Sequence, residues 1–176
     1  MMFSYKQRYF SIIVLVIVFS SASLSQSLND LEMNPSFKGI TIGEPISKYS
    51  EILKYNTVYK GKTSYIVTNS NYYTIFKIKM DDMVVIEKEG KVWGVFMSKK
   101  NPAGSFNPKE LEVLKSSLCD RYGYPNVDLT DTSGDPTIFG VRWQTSRILL
   151  DIAYLFYGTF EGSKLQYILY QREDDY

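Results

Sequence analysis

The chain contains no histidine, so the side chains left for acid–base chemistry are carboxylates: Asp81, Asp82, Glu87, Glu89, Asp151 and Glu161. Histidine supplies most general bases near neutral pH and is the commonest metal ligand. Its absence removes Ser-His-Asp and Cys-His nucleophile systems and most zinc sites together. Cleavage of a glycosidic bond survives, because it needs only two Asp or Glu across a groove, yet spacing singles out no pair. Asp151 alone stands apart. It interrupts the apolar run Leu149-Leu150-Asp151-Ile152-Ala153, and strand alternation groups it with Leu149 and Ala153, on the side expected to face solvent. Asp128, Asp131 and Asp135 lie in an oxygen-rich loop, but Phe139 stands where a calcium loop needs its twelfth-position Glu. They read as turn residues. No catalytic residue, metal or cofactor is expected.

The pattern suits holding a ligand better than transforming one. Tyrosine is the compositional excess, at 15 residues, and the segment 57–73 concentrates Tyr59, Tyr65, Tyr72 and Tyr73 among Ser, Asn and Gly. Tyr gives large, rigid contact area at low entropy cost. Residues 52–80 also hold Lys54, Lys60, Lys62, Lys77 and Lys79 and no acid, which would draw an acidic partner. The plainer reading is a hairpin with tyrosines paired across strands and lysines guarding an edge. The candidate binding residues are Tyr59, Tyr65, Tyr72, Tyr73, Lys60 and Lys62.

The first 25 residues look like a bacterial-type export signal: Lys6 and Arg8 precede the apolar run Ile12–Phe19, and small residues follow up to Gln26. The run is far shorter than the roughly 20 residues of a membrane-spanning helix, so no span is expected after cleavage. Cleavage removes two of the 20 basic residues and none of the 19 acidic ones, leaving a net charge of −1, which argues against nucleic acid as a partner. Cys119 is the single cysteine, so no intrachain disulfide can form. The expected organisation is a signal at 1–25, a flexible leader at 26–36 and one α+β domain at 37–176, with halves at about 37–100 and 101–176. The protein is expected in the periplasm or outside the cell.

Within that domain, Pro45 with Ile46, Tyr49, Ile52 and Leu53 predicts a short helix ending near Asn56. A second helix is predicted over 108–122, with Asn107 as N-cap, Pro108 first, Glu110 completing a capping box, Phe106 and Leu111 as a hydrophobic staple and Gly123 as the stop. Strands are predicted over 72–80, 83–88 and 91–97, and again over 137–145, 148–156 and 164–172. Thr74-Ile75-Phe76 recurs as Thr137-Ile138-Phe139, the same 63-residue offset that separates Pro45 from Pro108. That correspondence suggests an internal repeat, two helix-then-three-strand antiparallel units with the helices packed on one face of the sheet.

Two stretches carry a family resemblance: Gly39-Ile40-Thr41-Ile42-Gly43-Glu44-Pro45 before the first helix, and Leu118-Cys119-Asp120-Arg121-Tyr122-Gly123-Tyr124-Pro125 closing the second. The chain resembles the β-lactamase-inhibitor-protein-like architecture shared with the SmpA/OmlA outer-membrane assembly lipoproteins. The resemblance implies a binding scaffold. The expected function is therefore a non-enzymatic, inhibitor-like binding module for a protein or other envelope or extracellular ligand, acting through the 57–73 segment or the sheet face away from the helices. The alternatives are a structural or assembly component of the cell envelope and a carboxylate-dependent hydrolase.

Overall fold

Two antiparallel meanders, one from each half of the chain, merge edge to edge into one sheet. The computed structural model describes residues 28–59, 61–102, 107–158 and 162–173. The expected export signal, Lys60, the expected staple residue Phe106 and the candidate acid Glu161 lie outside the described residues. The first meander comprises β3 (Leu53–Tyr59), β4 (Lys62–Val67), β7 (Asp82–Lys88) and β8 (Lys91–Asn101), with the small hairpins β1 (Ser36–Phe37) with β2 (Ile40–Thr41), and β5 (Thr74–Ile75) with β6 (Ile78–Lys79), set outside it. The second comprises β9 (Val127–Asp128), β10 (Thr137–Gln144), β11 (Ile148–Phe156) and β12 (Ser163–Gln171). The eight-stranded order is β3-β4-β7-β8-β12-β11-β10-β9, so the last strand of each half lies at the centre and β8 pairs with β12 from Asn101↔Ser163 to Gly94↔Tyr170.

The expected fold class is overturned. The molecule is mostly β, with a single long helix, α1 (Pro108–Tyr122), rather than two helix-plus-three-strand units. The first predicted helix survives only as a 3-10 turn at Ile46–Tyr49, after which the chain becomes β3. Its spacing fits a helix, but Tyr55, Thr57, Val58 and Tyr59 favour a pleated strand and β4 supplies a partner. The repeat fails for a related reason. Thr74 and Ile75 belong to a two-residue strand of a small hairpin, whereas their counterparts Thr137 and Ile138 open the eight-residue β10. The expected strand over 72–80 is broken by Phe76 and Lys77, both with positive φ (44° and 70°), a turn that no glycine announces.

Register assigns the two faces. Val85, Val95, Leu169, Leu150 and Trp143 form one row across five strands, and Met83, Met97, Tyr167, Ile152 and Val141 the next. Both rows belong to the hydrophobic core. Above them pack Leu114, Leu118 and Tyr122 of α1, Ile40 and Ile42 of the first hairpin region, Tyr49, and Ile75, Ile78 and Met80. Each such side chain stabilises the fold by about 1.5–3 kcal/mol. The stretch expected as a flexible leader contributes as well: residues 28–33 are helical and Leu31 is fully buried in this core. α1 occupies its predicted span, though its start differs in detail. Asn107 makes no side-chain cap bond, and Glu110 ion-pairs with Lys99 instead of closing a capping box.

The opposite face carries Ile66, Val84, Phe96, Ile168, Asp151 and Arg142 in one row and Ile86, Gly94, Tyr170, Leu149 and Gln144 in the next. None of these belongs to the core cluster. Every element outside the sheet packs on the other side, so this face is uncovered among the described residues.

Candidate functional site

A β-bulge builds the centre of the uncovered face. Ile86 pairs with Gly94 and Glu87 with Val92, which leaves Trp93 as the extra residue of β8. An extra residue resets the alternation, so Val92 returns to the core while Trp93 joins Gly94 on the uncovered side. Gly94 has no side chain for a reason of space: a Cβ there would lie 2.7 Å from Phe96 Cε2 and 3.0 Å from Tyr170 Cβ. Phe96 and Tyr170 close over that gap. The three rings form a cluster, Trp93 to Tyr170 at 5.4 Å, Trp93 to Phe96 at 6.2 Å and Phe96 to Tyr170 at 6.3 Å between centroids, within the range where aromatic pairs attract.

Charged groups fix the border of this cluster. Lys62 Nζ lies 4.2 Å from the Trp93 ring centroid, a cation–π contact, and 2.8 Å from Glu173 Oε1, which also receives Lys88 at 3.2 Å. The hydrogen bonds from Lys62 and Lys88 hold the Glu173 carboxyl below the usual carboxylate range. On the other side of Tyr170, Arg142 Nε donates to Asp151 Oδ1 at 2.6 Å and Nη2 to Oδ2 at 2.8 Å. The same Nη2 donates to the Tyr170 hydroxyl at 2.9 Å, and that hydroxyl donates to Asp151 Oδ2 at 3.3 Å. Burial, followed by the neighbouring Asp151 charge, pushes the Tyr170 phenol up to about 12, so it keeps its proton at any physiological pH. The bond to Asp151 likewise raises Arg142 above its ordinary value. Both oxygens of Asp151 are thereby committed. The carboxylate anchors a planar donor group whose remaining nitrogen, Nη1, has no partner among the described residues.

Two depressions adjoin Trp93, one on the uncovered face and one at the end of the sheet beside the β7–β8 turn. One of about 320 Å³ is lined by Trp93, Arg142, Gln144, Tyr170, Arg172 and Glu173 among others; a second, of about 470 Å³, shares Trp93, Arg172 and Glu173 and adds Lys88 and Lys91. Trp93 stands between them.

Of the residues expected from sequence, only Lys62 reaches this cluster. Tyr65 pairs with Val85 and so points to the covered side, at the outer end of the sheet, where it meets Tyr55 edge-on at 6.4 Å. Tyr72 and Tyr73 lie in the 3-10 turn Ser70–Tyr73, half-buried against the core, and the Tyr73 hydroxyl donates to the Val67 carbonyl at 2.6 Å. Lys60 and the Tyr59 side chain lie outside the described residues. The Tyr-rich segment is thus divided between faces by the hairpin that forms it. Asp151 does sit on the uncovered face as alternation requires, but it is 7% exposed; the Arg142 and Tyr170 side chains cover it, where solvent was expected. The other acids serve local structure. Asp82 accepts from Ser98 Oγ and Asp81 from the Lys100 amide, Glu87 accepts from the Gly90 amide, and Asp128 and Asp131 bond the amides of Thr130 and Ser133. No group of three potential metal-ligating residues occurs among the described residues.

Sequence reasoning missed Trp93, Arg142 and Tyr170. A signal for Trp93 was present: Val92, Val95 and Met97 are spaced three and then two apart, a lapse in alternation that marks a bulge. Compared with protein-family models, curated proteins and solved structures, the chain matches none. No helix among the described residues is long and apolar enough to cross a membrane.

Proposed function

We propose that the chain is an exported, non-enzymatic binding module that holds a protein or other envelope or extracellular component on the uncovered face of its sheet. The observation that carries this reading is the one-sidedness of the fold. A sheet normally buries an apolar face against another layer, and here, among the described residues, the covering elements pack on one side while Trp93, Phe96, Tyr170, Ile168, Val84 and Ile66 lie on the other. Aromatic side chains beside an arginine held in place by a carboxylate are typical anchors of binding surfaces. The commitment of both Asp151 oxygens to Arg142 and Tyr170 favours anchoring over acid–base work.

The test compares wild-type protein with Trp93→Ala and with a Tyr65→Ala/Tyr72→Ala/Tyr73→Ala variant, each immobilised and exposed to envelope and culture-fluid extracts of the source cells. Components retained by wild type are then purified and rebound singly. Loss of that direct binding in Trp93→Ala, with retention in the triple variant, is the expected result. Retention by Trp93→Ala and loss in the triple variant would move the surface to the Tyr-rich segment. Export is tested separately by N-terminal sequencing of the protein recovered outside the cytoplasm, which should begin at Gln26.

A further inference from the structure

We propose that β3, the open edge of the eight-stranded sheet, is where a second copy of this chain pairs strand to strand, giving a two-fold dimer. The two edges of the sheet differ in kind. At one, β9 has only two residues, and the chain around it follows β10 closely: the amides of Asn126, Leu129 and Asp131 donate to the carbonyls of Arg142, Gly140 and Ile138. At the other, β3 runs for seven residues, pairs with β4 alone, contains no proline and is exposed from Lys54 to Val58. Edges are normally blunted by short strands, prolines, charges or bulges. Here the guards are one lysine and a bulge at Asn56.

Alternation settles which backbone groups face outward. The Thr68 amide donates to the Ile52 carbonyl at 2.9 Å, which turns the groups of Ile52 and Lys54 toward β4 and those of Leu53 and Tyr55 away from it. Beyond the bulge, only two residues separate Tyr59 from its pair Lys62, so that pair closes the hairpin through its backbone and Val58, one residue back, also faces out. These outward positions carry exposed apolar side chains: Tyr55 is 62% exposed and Val58 56%. Both stand on the covered side of the sheet, since their partners Tyr65 and Thr63 alternate in step with Val67 of the core. Unpaired amides and carbonyls flanked by apolar side chains fit one kind of partner, another extended strand.

The strand is complementary to itself. Turned antiparallel about a two-fold axis between Asn56 and Thr57, it sets Tyr55 against Val58 of a second copy and Val58 against the other Tyr55, aromatic–β-branched pairs of the kind that stabilise sheets. The two bulges then lie opposite each other, and the register stays even. Lys54 falls opposite position 59, about five residues from its own counterpart, a separation of roughly 16 Å that exceeds the ~8–10 Å screening length. With this edge alone open among the described residues, pairing stops at two. An edge about 23 Å long and ~10 Å thick is smaller than the ~800 Å² per partner of a standard interface, so the dimer is weak and concentration-dependent. Its axis stands perpendicular to the sheet, and both uncovered faces point the same way.

Sedimentation of the exported protein over a range of concentrations tests this, with a monomer–dimer equilibrium and a dissociation constant on the order of 10–100 μM expected. Tyr55→Lys with Val58→Lys brings like charges together in this register and should weaken association at least about tenfold. Tyr55→Lys with Val58→Glu is equally polar but brings opposite charges together, and should recover association to within about threefold of wild type, with loss again at high salt. Val58→Pro removes only an outward-facing amide, so it should abolish the dimer with circular dichroism unchanged; if it unfolds, the two charged variants decide alone. Trp93→Ala should leave the dimer intact, so capture of an envelope component on the uncovered face stands or falls separately. A wild-type protein that stays monomeric to about 1 mM, assemblies that keep growing beyond two, equal loss in both charged variants, a dimer indifferent to all the edge variants, or one abolished by Trp93→Ala each overturns the proposal.

Discussion

Arg142 and Asp151 face each other across β10 and β11, and their value lies in being together. Asp151 is almost entirely buried and Arg142 about a quarter exposed, so removing one partner leaves a poorly solvated charge. Asp151→Ala should therefore lower unfolding stability by about 2–3 kcal/mol, and adding Arg142→Met to it should recover most of that loss, because no lone charge then remains. Denaturant midpoints of the two single variants and the double variant check this; additive losses would show that the pair is not coupled. Asp151 was legible as an anomaly in an apolar strand. Its burial was not, because it depends on side chains of two other strands, 9 residues before it and 19 after it. Glu32 gives a second test at this scale. It accepts hydrogen bonds from Thr145, Ser146 and Arg147. Burial pushes its carboxyl upward, but the bonds from Ser146 and Arg147 outweigh that and hold it below its ordinary value of 4.5. A lowered folded-state value means stability fully present above 4.5 and lost as the pH falls through that lower value. Glu32→Gln should thus be less stable than wild type at neutral pH, with the difference closing in acid. A constant difference across thermal melts at several pH values would refute this linkage.

At the scale of elements, close approach between β10 and β11 is set by Gly140. A Cβ there would lie 2.8 Å from the Ile152 carbonyl oxygen and 2.9 Å from Ala153 Cβ, backbone and stem atoms that cannot swing aside. Gly140→Ala should cost about 1–3 kcal/mol by overpacking. Gly94→Ala meets chiefly the far edge of the Phe96 ring, which can rotate, so it should cost less while disturbing the Trp93 fluorescence. Chemical denaturation ranks the two, and a reversed order would mean that the aromatic cluster is the more rigid contact. These elements also show what a sequence can announce. α1 was legible because its signals are local: Pro108 at the start, Leu111, Leu114 and Leu118 on one face, Gly123 at the end. The 45–56 segment carries similar spacing, but its fate is decided by β4, a partner brought up by a turn at Gly61. Where pairing competes with propensity, pairing prevails.

Over the whole molecule, the core is continuous from Leu31 through both meanders to α1, and the β8–β12 seam joins the halves along eight residue pairs. One cooperative unfolding transition follows from that continuity. In a Trp93→Phe variant, Trp143 fluorescence from the second half and far-UV circular dichroism from both should fall together; separate midpoints would show halves that stand alone. The two-meander pattern was largely readable, since most of its strands alternate and end in turns. The merger was not, because pairing residues 94–101 with 163–170 closes a distance in the chain that no local signal marks.

That seam has a consequence for how the molecule comes into being. Its keystone, Ser163–Gln171, comes after both strands that it joins, so β8 and β11 each present an open edge until that strand slots between them. Two half-sheets become one body only at that step, and any variant that loosens the strand should expose both edges to pairing with other chains.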